Sequence, residues 1–152
     1  MTDVFESVVG LLQEETEAHR RLLDLAREEQ RALVRGDVES LQRLVAEQEQ
    51  VVGQVRGLER ARLQLLELVA ERLGRSVQEL SLRELVAASP PDVGRRLEAQ
   101  RHELTGVLRE LADVNKANAL LVRAHMEYVR HLVGILTRSA DGPASLVVDR
   151  WT

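Results

Sequence analysis

Residues 33–74 read LVRGDVESLQRLVAEQEQVVGQVRGLERARLQLLELVAERLG, and the spacing of the apolar positions decides the fold. Leu41, Leu44, Gln48, Val51, Val55, Leu58, Arg62, Leu65 and Val69 follow one another in alternating steps of three and four. A helix with that rhythm keeps one seam against a partner helix along its length. A second column, Val45, Val52, Leu66 and Leu73, broken at Glu59, widens the stripe and predicts more than one neighbour. The helix is expected over 38–73, with Gly74 as its stop. Gly53 and Gly57 have the spacing of a membrane dimer motif, but Arg56, Glu59 and Arg60 beside them are incompatible with lipid. Close approach of another helix is expected there instead.

Upstream, Gly36 is suited to the left-handed conformation that ends a helix, and the Asp37 carboxylate is placed to accept from the free amides of the next first turn. A break of two residues predicts an antiparallel hairpin. Its first arm spans 3–35, where Val4, Val8, Leu11, Leu12, Ala18, Leu22, Leu25, Ala26 and Leu33 recur at helical spacing and Glu15 and Glu29 interrupt them. Downstream, Ser76-x-x-Glu79 and Ser81-x-x-Glu84 both have capping-box spacing, which predicts a short helix over 82–88. Ser89-Pro90-Pro91-Asp92 offers a cap serine, a proline where a missing amide costs nothing and an acid favoured by the helix dipole. A third long helix follows to about Ser139. It exceeds the first by 16 residues, about 24 Å at 1.5 Å per residue, so one end is expected to overhang. Asp141-Gly142-Pro143 breaks the pattern. Leu146, Val147, Val148 and Trp151 have no helical phase, and residues 140–152 are expected to be a flexible tail.

Composition agrees with an all-α chain of three long helices, an elongated antiparallel bundle or coiled coil forming one domain over 1–139. Ala, Glu, Lys, Leu and Arg supply 80 of 152 residues, a share typical of long helices. The only aromatics are Phe5, Tyr128 and Trp151, too few to build a sheet around. The absence of cysteine removes disulfides, thiolate nucleophiles and cysteine zinc sites, and makes an intracellular compartment the simpler expectation. The N-terminus has neither a basic n-region nor an apolar h-region, and no apolar run approaches a membrane span, so no membrane insertion is expected. The net charge of −4, with both signs interleaved, gives no footprint for nucleic acid.

Chemical motifs are scarce. An inward-facing carboxylate-histidine metal site on a bundle uses Glu-x-x-His. The residues three before His19, His102, His125 and His131 are Thr16, Ala99, Val122 and Tyr128. His102-Glu103 opens like a zinc-protease helix, but Gly106 occupies the second histidine position. The histidines are therefore read as ordinary surface or half-buried residues, and no metal, cofactor or catalytic apparatus is expected. Asn115 and Asn118 share a helix face. They are read as inward-facing register devices, because a buried amide penalises every packing that leaves it unpaired.

The third helix changes character along its length. From Val93 to Glu110, 6 of 18 residues are apolar; from Ala119 to Leu136, 12 of 18 are. The distal half is read as apolar nearly all round. At about 25 cal/mol per Å², such a surface favours a cover: a client, a second copy or the chain's own tail.

The run Leu58-Glu59-x-x-Arg62-x-x-Leu65-Leu66, closing at Ala70-x-x-Leu73-Gly74, then Leu82-x-x-Leu85, then Asn115-x-x-Asn118-x-Leu120-Leu121 with Tyr128-Val129, resembles the FlgN-type flagellar export chaperones over residues 5 to 136. The resemblance implies a cytoplasmic, non-enzymatic chaperone. It would bind the C-terminal helical segments of hook-filament junction proteins of the FlgK and FlgL type, prevent their premature assembly and deliver them to the type III export gate. The client-binding residues are then expected to be Leu121, Val122, His125, Tyr128, Val129, Leu132 and Leu136, forming a helix-in-groove site. The resemblance also suggests Tyr128 as an export-gate contact. The competing expectation is a coiled-coil adaptor or homodimer without an export role; a weak homo-oligomer is compatible with both.

Overall fold

The computed structural model describes residues 2–139. The tail of residues 140–152, expected to be flexible and one of the three candidate covers for the distal third helix, lies outside the described residues. The helices are α1 (Thr2–Arg35), α2 (Val38–Leu73), α3 (Leu82–Ala88) and α4 (Pro91–Ser139), with a 3₁₀ turn at Val77–Glu79 between α2 and α3. Every described residue outside these elements is turn or coil. α4 is continuous through Gly134.

The hairpin forms as its turn chemistry dictates. Gly36 adopts φ +68°, a conformation that costs any residue with a Cβ roughly 1–2 kcal/mol. Asp37 Oδ1 accepts from the Ser40 amide at 3.1 Å and Oδ2 from the Ser40 hydroxyl at 2.6 Å. These two bonds, the hydroxyl's foremost, hold the Asp37 carboxyl below the usual carboxylate range. At the other end of α2, Gly74 is left-handed at φ 67°, and the Arg75 amide closes the helix on the Ala70 carbonyl at 2.9 Å.

The polar residues that interrupt the stripes of α1 and α2 lie opposite one another. Arg62 Nε donates to both carboxylate oxygens of Glu15, at 2.9 and 3.1 Å, and Gln48 Nε2 donates to Glu29 at 2.6 Å. Fourteen residues forward along α1 correspond to fourteen residues back along α2, so both pairs belong to one antiparallel register. A slip would set the Glu15 carboxylate, only 1% exposed as a residue, against aliphatic groups, where an unpaired charge is costly.

α4 runs in the same direction as α1. Arg96 pairs with Glu6, Arg20 with Glu103 and Arg27 with Glu110, so both numbers rise together. The backbones of α2 and α4 nowhere come within 8 Å of each other among the described residues. α1 is thus a shared spine with a long helix on each of two sides. This explains why the second apolar column of α2 finds a second neighbour at one end only. Leu66 and Leu73 join the core that α1, α2, α3 and α4 build around Phe5, Val8, Val69, Leu85 and Leu97. Val45, near the turn, is exposed, and the core at that end (Leu25, Ala32, Leu44, Val51) comes from α1 and α2.

Three local expectations are corrected. Ser76 makes no capping bond, and its box collapses into the 3₁₀ turn; only Ser81 caps, accepting from the Glu84 amide at 3.2 Å. Ser89 does not cap α4, because it stands one residue too early. It closes α3 instead, its hydroxyl donating to the Val86 carbonyl at 2.8 Å, while α4 begins on Pro91 as predicted. Finally, a Cβ at Gly53 or Gly57 would meet nothing within 4 Å, so no helix approaches there. The close approach is at Gly94, where a Cβ would lie 3.1 Å from Ser89 Oγ and 3.2 Å from Val86 Cγ1. That glycine lets α3 lie against the start of α4.

Candidate functional site: the uncovered end of α4

Through its first half α4 presents a narrow stripe to α1. Val93 and Leu97 are buried, Leu104, Val107, Leu111 and Val114 are half-buried, and Asn118 is 3% exposed. Asn118 Nδ2 donates to the Ala26 carbonyl at 2.9 Å, while its Oδ1 is buried without a partner among the described residues. Asn115 is exposed, which corrects the expectation that both amides face inward. A helix with one covering neighbour buries only its central columns, and Asn115 falls just outside them.

Beyond Leu121, which is half-buried, the cover ends. Every residue from Val122 to Leu132 is exposed, including Tyr128 at 62% and Val129 at 56%. Placed at about 100° per residue, the side chains run around the helix as Ile135, Tyr128, Leu121, Leu132, His125, Leu136, Val129, Val122, Val133 and Met126. This face covers roughly half the circumference. Arg123, Glu127, Arg130, His131 and Arg138 share the other half with Leu120 and two alanines, Ala119 and Ala124. The distal segment is therefore amphipathic with a broad apolar face, not apolar nearly all round. The seven residues expected at the client site share that face, which continues the stripe that α1 covers further back.

Sequence reasoning missed the rim of this surface. Met126 completes one edge, and Arg130 stands beside two surface hollows, one lined by His125, Met126 and Val129, the other by Val129, Val133, Gly134, Thr137 and Arg138. The signal was present as a column of sevens, Arg95, His102, Arg109, Lys116, Arg123 and Arg130, all exposed. In the first half of α4 this column lies opposite the covered stripe. In the distal half the apolar face widens until the arginines form its border.

Other concavities offer less chemistry. A wide trough of about 770 Å³ between α1 and α2 is lined by Gly10, Gly57, Gln13, Glu14 and Arg21 among others, with no buried reactive group. Among the described residues no three His, Asp or Glu side chains converge as a metal site, and no helix is long and apolar enough to cross a membrane.

A family model described as FlgN protein matches residues 1–146. No curated protein and no solved structure matches the chain.

Proposed function

This chain belongs to the FlgN family, a family of flagellar export chaperones, and from that premise we propose that it binds the C-terminal helical segments of hook-filament junction proteins of the FlgK and FlgL type in the cytoplasm. It holds them unassembled and passes them to the type III export gate. The observation that carries this reading is the apolar face of distal α4, exposed from Val122 to Leu132 and again at Ile135 and Leu136. A surface of that kind gains by accepting an amphipathic helix, whose own apolar face would otherwise drive premature self-assembly. The contacts are Leu121, Val122, His125, Tyr128, Val129, Leu132 and Leu136. The role requires no catalysis and no cofactor.

Because Val129 lies on the surface, Val129→Asp should abolish copurification of a junction protein while leaving helicity by circular dichroism unchanged. Loss of helicity would instead make Val129 a core residue, contrary to this assignment. Tyr128 has a second proposed part, as the contact with the export gate. Its ring is well exposed, and its hydroxyl can reach a polar partner while the ring packs. Tyr128→Ala with client binding retained and secretion reduced would support the gate contact.

A further inference from the structure

The chemistry of the missing partner can be read from how the chain completes its own interfaces. The ion pairs linking α1 to α4 are all arginine with glutamate: Arg96 with Glu6, Arg20 with Glu103 and Arg27 with Glu110. On α4 the paired groups are Arg96, Glu103 and Glu110, and beyond Asp113 the one acid of this helix is Glu127. Residues 114–139 contain four Lys or Arg and one acid, a net +3, whereas residues 1–113 contain 16 basic and 22 acidic residues, a net −6. Arg123, Arg130 and Arg138 have no ion-pair partner among the described residues. Arg130 and Arg138 border one hollow whose floor is Val129, Val133, Gly134 and Thr137.

We infer that the occupant of distal α4 is an amphipathic helix of another protein carrying Glu or Asp along the flanks of its apolar face, paired with Arg123, Arg130 and Arg138. This rests on the client-binding reading above and adds the charge that selects among clients. Electrostatic complementarity of this kind discriminates partners and speeds encounter more than it adds raw affinity. A second copy of the chain docking through the same face is disfavoured, because it would bring two surfaces of net +3 together. An anionic membrane could meet the same charges. A protein helix is favoured because the apolar face continues in line from the stripe already occupied by α1.

The test uses the full chain and two fluorescent helical peptides of about 18 residues, five helical turns, with identical leucine faces and either Glu or Lys flanks. Binding is followed by anisotropy. The Glu-flanked peptide should bind about tenfold more tightly at low salt, as expected for three exposed ion pairs. Near 1 M salt, where the Debye length is about 3 Å, the preference should largely disappear. Reversing Arg123, Arg130 and Arg138 to Glu should invert it, with unchanged helicity; Arg130→Gln alone should reduce it. Equal binding of both peptides overturns the charge assignment and leaves the client site standing. Binding of neither, with no competition against a junction protein, overturns both. Preferential binding to phosphatidylglycerol vesicles over the Glu-flanked peptide, or a stable dimer broken by Val129→Asp, overturns the inference in favour of a lipid or a second copy.

Discussion

At the scale of single residues, Glu15 and Arg62 do most to fix how α1 and α2 meet. The Glu15 side chain is 2% exposed and that of Arg62 31%, so the carboxylate depends on one guanidinium that water also reaches. Arg62→Ala should lower stability in chemical denaturation by about 3 kcal/mol, the low end for breaking a buried pair. Replacing both by leucine should recover most or all of it, because the desolvation cost disappears with the charge. Both positions were legible in the sequence as polar interruptions of apolar stripes. Their pairing was not, since it depends on the register set by the Gly36–Asp37 turn and on α2 being the helix that faces Glu15. Asn118 was legible in the same partial way. Its spacing marked it as inward, but the same spacing marked Asn115, and only the narrow cover provided by α1 separates the two.

At the scale of elements, helix identities and ends were nearly all readable, because glycine and proline stops are local chemistry. The errors occurred where two elements compete for one residue. Ser89 serves the end of α3, and the box at Ser76 lies in a segment too short to become a helix before Leu80 turns into the core. Glycines show the same contrast within α4. Gly94→Val should destabilise the protein by about 1–3 kcal/mol, the usual range for forcing volume into a packed contact, with α3 losing protection first in hydrogen exchange. Gly106 has open space around its missing Cβ. Gly106→Ala should therefore stabilise by up to about 1 kcal/mol, the helix-propensity difference, in a thermal melt.

At the scale of the whole molecule, the excess length of α4 was predictable from counting residues, but the central position of α1 was not. Three amphipathic stripes do not say which helix lies between the other two; packing decides it. The consequence is a steep gradient of stability along α4. Amides from 97 to 118 are protected by α1, whereas those from 123 to 133 belong to a single helix without tertiary cover among the described residues, and isolated helices of that length are marginal. Hydrogen exchange should be faster in the distal segment by at least about tenfold, the equivalent of about 1.4 kcal/mol. Saturation with a junction protein should slow it. Unchanged exchange on client addition would place the client elsewhere.

The parallel course of α1 and α4 puts the start of the chain and the bare arginine-bordered segment at opposite ends of a rod. Thirty-four residues of α1 at 1.5 Å each set them roughly 50 Å apart. An affinity handle or dye attached ahead of Thr2 would therefore stand clear of an incoming helix, while one attached soon after Ser139 would crowd its landing place. The two labelled proteins should report different affinities for the same cargo.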